Sequence, residues 1–130
     1  SFLAQDNSLP HLTTLIILCR HSSTSSFAFL SHAPNLQVLD LFRSKFNNDS
    51  LQYLDNMVHL RKLGFGYTDV TGDSRLLKTL MQNLCQLEEL ILCGCHIGNQ
   101  GAIAGALYST HSRLRVLNMS SCNLVSNVRS

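Results

Sequence analysis

Residues 87–107, LEELILCGCHIGNQGAIAGAL, indicate how the chain is organised, because their leucine spacing recurs along the sequence. Five segments follow the pattern L-x-x-L-x-L, where the last position is any large apolar residue. They are LTTLII from Leu12, LQVLDL from Leu36, LRKLGF from Leu60, LEELIL from Leu87 and LRVLNM from Leu114. Their first leucines are separated by 24, 24, 27 and 27 residues. Five matches at a near-constant period predict a chain built from structural repeats.

Two further positions of the repeat are informative. The ninth positions are Arg20, Ser44, Thr68, Cys95 and Cys122. The eleventh positions are Ser22, Phe46, Val70, Ile97 and Leu124. The last two units therefore match L-x-x-L-x-L-x-x-C-x-[IL] in full. In the first two units Arg20 and Ser44 replace the usual turn residue, so we expect irregular turns there.

This pattern resembles the leucine-rich repeat family over nearly the whole chain. Repeats of this length with cysteine at the turn are similar to two intracellular classes, the ribonuclease-inhibitor type and the cysteine-containing type of F-box proteins. The resemblance implies an α/β leucine-rich repeat solenoid, a horseshoe segment with a parallel concave sheet and outer helices. One domain of about five repeats would cover residues 1–130. Its strands are expected near residues 12–18, 36–42, 60–66, 87–93 and 114–120.

The physical chemistry of strands agrees with this resemblance. In a strand the fourth and sixth positions point to one side, while the third, fifth and seventh point to the other. Leucines of successive strands then stack into a core that no single unit could bury. Returning helices are predicted at residues 25–31, 50–56, 74–85 and 99–109. Neither end shows the polar cap of a terminal repeat, so we expect a piece of a longer array.

Composition excludes several classes of function. The chain is 45% hydrophobic and 14% charged, as folded chains are. A net charge of +2 without a lysine or arginine run gives no support for nucleic-acid binding. No apolar stretch approaches the roughly 20 residues of a membrane helix. Five cysteines, an odd number, favour reduced thiols in the cytoplasm, with the nucleus as a further possibility.

Residues 93–96, CGCH, resemble a fragment of a zinc site. The repeat assigns them differently: Cys95 is the inward turn residue, and Cys93 points to the opposite, concave face. We therefore predict a buried turn cysteine and no metal. An exposed Cys93 thiol leaves open an enzyme that uses it. The glycines of residues 98–105 match neither G-x-G-x-x-G nor a G-K-[ST] loop, so no cofactor or small-molecule substrate is indicated.

The concave face carries the residues that we predict to bind a partner. Aromatic and arginine side chains, the usual interface anchors, gather on strands two and three beside Gly64 and Gly66, which would leave a hollow. Glu88 and Glu89 face Arg61 and Lys62 one strand away, so these charges can neutralise each other. An ordinary mixed surface is the alternative interpretation. The candidate residues are Asp40, Phe42, Arg43, Arg61, Lys62, Tyr67, Glu89, Ile91 and Cys93.

These observations predict a non-catalytic module that binds a protein partner through its concave face. The resemblance implies two biological settings. One is substrate recognition in a ubiquitin ligase complex, and the other is the ligand-sensing or autoinhibitory arm of a nucleotide-binding innate immune receptor. Both settings place the signature domain outside this sequence, so the residues do not separate them.

Overall fold

The computed structural model describes residues 9–17, 27–82, 84–98, 100–110 and 113–120. Five parallel strands form one sheet in sequential order. They are β1 (Thr14–Ile16), β2 (Val38–Asp40), β3 (Lys62–Gly64), β4 (Glu89–Ile91) and β5 (Val116–Asn118). Each strand lies inside its predicted range but is shorter, with three residues. The predicted turn residues Arg20 and Cys122 lie outside the described ranges.

The sheet pairs each repeat position with the same position of the next repeat. The fourth-position leucines form one row across it: Leu15, Leu39, Leu63, Leu90 and Leu117. This register places every apolar position on one face, where it stacks on its equivalent in the neighbouring repeat. The leucine spacing of the sequence thus becomes a continuous core.

That core is tightest in repeats two to four. Their first, fourth, sixth and eleventh positions are at most 2% exposed. In repeats one and five, Leu12, Leu15, Leu114 and Leu117 are only partly buried, because among the described residues each packs against a neighbouring repeat on one side. Three phenylalanines join repeats one to three: the ring of Phe46 lies 5.1 Å from that of Phe27 and 5.4 Å from that of Phe65.

Helices connect the strands on the core side of the sheet. Two are 3₁₀ helices, η1 (Ala28–His32) and η2 (Asn48–Leu54), and two are α-helices, α1 (Ser74–Gln82) and α2 (Gln100–Thr110). All four overlap the helices predicted from sequence, whose type had not been specified. Among the described residues, no helix combines the length and the apolar character needed to cross a bilayer.

The turn at Ser44 is regular, so the expected irregularity is wrong for this repeat. Ser44 is 4% exposed, and its hydroxyl oxygen accepts a hydrogen bond from the Phe46 N–H at 3.3 Å. One repeat later, the Thr68 hydroxyl accepts from the Val70 N–H at 3.4 Å. A hydroxyl satisfies the same buried backbone donor in both turns, so serine and threonine are equivalent here.

The turn at Cys95 confirms the buried-cysteine interpretation. Its side chain is 0% exposed, and the thiol lies 3.0 Å from the Phe65 carbonyl oxygen, to which it donates. The Thr68 hydroxyl donates to the same oxygen at 2.7 Å. Cys95 therefore ties the fourth repeat to the third from inside the core.

Candidate protein interface

A cavity of about 260 Å³ lies on the sheet face that carries the third, fifth and seventh positions. This face, here called the open face, is the one predicted to be concave. Six of the nine candidate residues line the cavity: Asp40, Phe42, Lys62, Glu89, Ile91 and Cys93. They lie on β2, β3 and β4 or two residues after a strand, so the register of the sheet brings together residues up to 53 positions apart.

Gly64 and Gly66 line the cavity, and side chains of the neighbouring strands lie close to both glycines. A Cβ atom on Gly64 would lie 2.9 Å from the Asp40 carboxylate oxygen. A Cβ on Gly66 would lie 2.8 Å from the Phe42 ring and 3.2 Å from the Cys93 sulfur. Side chains of the neighbouring strands lean over both glycines, which are buried. A cavity is thus present beside these glycines, as expected, and it is bordered by the side chains of Asp40, Phe42 and Cys93.

Three of the predicted anchors form one cluster at the end of this cavity. The rings of Phe42 and Tyr67 meet edge to face, with centroids 5.6 Å apart. The Arg43 guanidinium carbon lies 5.3 Å from each centroid. These are cation–π distances, and they hold the arginine against both rings. Phe42, Arg43 and Tyr67 are called the aromatic–arginine cluster below.

The backbone beneath the cluster has an unusual conformation that the sequence interpretation missed. Arg43 has φ 61° and Tyr67 has φ 56°, both in the left-handed region. Gly94, at the same eighth position of the next repeat, has φ 74°. The repeat turn therefore requires positive φ at this position, where glycine is the least strained residue. The sequence contained one signal of this conformation: Gly94 occupies the same eighth position as Arg43 and Tyr67.

Hydrogen bonds fix this eighth position in the second and third repeats. The Arg43 N–H donates to the Gly66 carbonyl at 2.8 Å, and the Tyr67 N–H donates to the Cys93 carbonyl at 2.8 Å. On the preceding strand, the Asp40 carboxylate accepts from the Phe42 N–H at 3.1 Å. The cluster thus rests on a backbone whose polar groups are satisfied, which restricts its motion.

The expected pairing of acids and bases across strands is present. Lys62 lies 3.5 Å from Glu89, and both side chains border the cavity. Arg61 lies 3.0 Å from Glu88. The Arg61 hydrogen bond, assisted by the charges of Arg61, Arg115 and Arg113, lowers the pKa of Glu88 despite the opposing effect of desolvation.

Arg61 is the candidate residue that the structure separates from the others. It borders a different, shallow depression together with Glu88, Arg113 and Arg115. This depression lies where the strands begin, whereas the aromatic–arginine cluster lies where they end. The second position of the repeat, which Arg61 occupies, therefore lies apart from the open-face cavity, although Arg61 is next to Lys62 in the sequence.

Cys93 lies in the cavity wall as a half-buried free thiol. No histidine borders this cavity in the part of the chain that the structure describes. Across the same residues, no group of three histidine, cysteine, aspartate or glutamate side chains could hold a metal ion.

Comparison with known proteins identifies the fold. No family model and no curated protein sequence matches this chain. A solved structure of an internalin from Listeria monocytogenes is similar, with a TM-score of 0.57 at 20% sequence identity. The match covers 78% of this chain and 28% of the internalin chain. Together with the five-stranded parallel sheet, it shows the leucine-rich repeat solenoid that the sequence predicted, while the ribonuclease-inhibitor-like subtype stays a prediction.

Proposed function

We propose that this chain is a protein-interaction module that binds a protein partner through the open face of its sheet. The supporting observation is the placement of the aromatic–arginine cluster beside a cavity with apolar walls. Tyr67 is 46% exposed, although a ring of this size would gain stability from burial. Tyrosine and arginine are the residue types in which binding energy concentrates at protein interfaces.

The size and charge of the site support a protein over other ligands. A volume of about 260 Å³ falls below the roughly 300–1,000 Å³ of small-molecule sites, but it accommodates a side chain. The Lys62–Glu89 pair balances the charge at one end of the cavity. A nucleic acid would need a row of unpaired cations, and Arg61 and Lys62 are both paired across strands.

Capture from cell lysate tests this proposal. The bait is the immobilised chain, beside a variant with Phe42, Arg43 and Tyr67 all changed to alanine. A matched control changes Phe29, Tyr108 and Arg113 to alanine, because these exposed residues have the same side-chain types and lie outside the open-face cavity. We expect a protein that the wild type and the control retain and the cluster variant loses. Identical lists from all three baits would contradict the proposal.

For the biological setting we propose substrate recognition in a ubiquitin ligase complex in the cytoplasm. The support is the resemblance of the cysteine-turn repeats, of which Cys95 is the described example. A sensing or autoinhibitory arm of a nucleotide-binding immune receptor is the alternative. Capture with the natural full-length protein separates them: cullin-associated adaptors support the first, whereas a nucleotide-binding domain in the same polypeptide supports the second.

We propose no catalytic role for Cys93, although its place in the cavity wall makes it the candidate nucleophile. No histidine borders that cavity among the described residues, and its two carboxylates are engaged elsewhere: Asp40 accepts the Phe42 N–H, and Glu89 is paired with Lys62. The test is turnover of p-nitrophenyl acetate by the wild type and by Cys93→Ala. Multiple turnovers that disappear in the variant would contradict this statement, while equal background rates would support it.

A further inference from the structure

Arg43 has no acidic partner among the described residues, whereas Arg61 and Arg75 each have one. Arg61 is paired with Glu88 at 3.0 Å and Arg75 with Asp55 at 3.3 Å. Arg43 instead lies against the rings of Phe42 and Tyr67, with no carboxylate in ion-pair range among the described residues. Ring contacts leave the N–H groups at the edge of a guanidinium free to donate.

The position of this guanidinium is set before any partner arrives. Both Arg43 and Tyr67 occupy left-handed backbone, where glycine would be less strained, as Gly94 shows in the next repeat. The edge-to-face contact of Phe42 with Tyr67 then fixes the two rings that hold the arginine. A preorganised donor loses less conformational entropy on binding.

The apolar part of the site adjoins this donor directly. Phe42 contacts Arg43 on one side and lines the cavity on the other. Val38 and Ile91 supply further apolar wall. Phe42 therefore links the Arg43 guanidinium to the apolar wall of the cavity.

We infer, on the basis of the proposed function, that the partner presents an acidic residue beside an apolar one. Its carboxylate binds the N–H edge of Arg43, and its apolar side chain enters the cavity between Phe42 and Ile91. Such a carboxylate pairs with a guanidinium in a bidentate manner, which fixes its orientation as well as its charge.

The acidic side chains of the cavity do not change the charge that we expect on the ligand. Asp40 uses one carboxylate oxygen to accept the Phe42 N–H. Glu89 is paired with Lys62 at 3.5 Å. Arg43 has no acidic partner among the described residues and adjoins the cavity through Phe42, so it favours an acidic group on the ligand.

A peptide selection tests the inference. The probe is a phage-displayed library of random dodecapeptides, selected on the 130-residue chain at low salt. We expect enriched peptides with aspartate or glutamate within three residues of leucine, isoleucine, methionine or phenylalanine. Synthetic copies should bind Arg43→Gln at least tenfold more weakly, since that change removes the charge and keeps the length. Ile91→Trp, which fills the cavity, should weaken them similarly.

Arg113→Gln is the matched control, because it removes an exposed guanidinium that lies away from the cavity. It should change the dissociation constant less than twofold, and all variants should keep the wild-type melting temperature within a few degrees. Peptides that lose affinity for Ile91→Trp but contain no acid and bind Arg43→Gln normally would overturn the inference and leave the protein-binding site standing.

Three other outcomes are decisive as well. Basic peptides would overturn the inference by pointing to Asp40 and Glu89. Peptides indifferent to both Arg43→Gln and Ile91→Trp would overturn the inference and also the proposed location of the interface. A selection that enriches nothing would overturn the inference alone, because lysate capture decides the proposed function independently.

Discussion

The second and third repeats connect one strand of the sheet to the next through different types of helix. The second has 24 residues and returns through the seven-residue 3₁₀ helix η2, whereas the third has 27 and returns through the nine-residue α1. A 3₁₀ helix rises about 2.0 Å per residue, so η2 spans roughly 14 Å. An α-helix rises about 1.5 Å per residue, and α1 spans nearly the same distance. Repeat length selects the helix type, while the sheet register stays constant.

The spacing of buried residues follows the helix type. In η2, Leu51 and Leu54 are three residues apart and both fully buried. In α1, Leu76 and Leu80 are four apart and both fully buried. Each spacing brings two side chains to one face of its own helix, so both repeats close the core equally well.

The two regions differ also in what fills the core. Phe46 occupies the eleventh position of the second repeat and packs between Phe27 and Phe65. Val70 and Ile97 occupy that position in the longer repeats. Aromatic packing is thus concentrated where the helices are short, and it spans three repeats at once.

The largest expected effect is the loss of this aromatic contact. Phe46→Ala should lower the free energy of unfolding by about 3–5 kcal/mol, because it removes a fully buried ring and two ring contacts. Ile97→Val, at the same position of the fourth repeat, should cost about 0.5–1.5 kcal/mol. Urea unfolding monitored by circular dichroism measures both. Phe29→Ala serves as the exposed control, and equal losses at positions 46 and 97 would erase the difference between the regions.

The next prediction uses one substitution at two buried threonines. Thr68 in the turn donates to the Phe65 carbonyl, so Thr68→Val should cost about 1–2 kcal/mol. Thr79 in α1 is 0% exposed, and its hydroxyl has no hydrogen-bond partner among the described residues. Thr79→Val should therefore raise the free energy of unfolding by about 1 kcal/mol. Thermal and urea unfolding of the two variants would show opposite signs; a loss at both sites would contradict this account of α1.

Removing the side-chain cap at the start of η2 or α1 should have a smaller effect on stability, and the effect should be equal in the two repeats. The Asn47 side chain accepts from the Ser50 N–H at the start of η2, and Asp73 accepts from the Arg75 and Leu76 N–H groups at the start of α1. Alanine at position 47 or 73 should cost about 1 kcal/mol, since each cap satisfies donors that the helix leaves free. Asn47→Asp and Asp73→Asn retain the acceptor and should lose much less. A cap that matters only for α1 would show that η2 depends on its core contacts alone.

Leucine spacing was sufficient to predict the repeats, the strand centres and the open face. Positions 1, 4, 6 and 11 require burial, and only one register buries them all. The helix type was not predicted. The three-residue difference in repeat length selects between a 3₁₀ helix and an α-helix only when the distance that the helix must span is known, and the sequence does not give that distance. The Ser44 turn was misjudged because the pattern specifies cysteine, while the buried N–H requires only an acceptor, which the serine hydroxyl provides.

The candidate site was predicted in composition but not in detail. The repeat pattern placed Phe42, Arg43 and Tyr67 together, because the sheet aligns the seventh and eighth positions of neighbouring repeats. The close approach of Asp40 and Phe42 to Gly64 and Gly66 depends on rotamers, which sequence does not specify. Left-handed backbone at Arg43 and Tyr67 was missed for a related reason: neither residue type favours it, and only Gly94 signals the requirement.

The smallest expected effect concerns the pair that joins the two 27-residue repeats. Arg61 lowers the pKa of Glu88, so the native state favours the carboxylate. Its stabilisation is complete above the ordinary pKa of a glutamate and decreases as the pH falls through the lowered native value. The difference in melting temperature between wild type and Glu88→Gln should therefore shrink on acidification, and also in high salt, because both groups are solvent-accessible. In the 24-residue repeat, Gln37 holds the equivalent position without a charge, and Gln37→Ala should show no such pH dependence. A pH-independent difference for Glu88→Gln would mean that the carboxylate contributes only as a neutral hydrogen-bond acceptor, as Gln37 does.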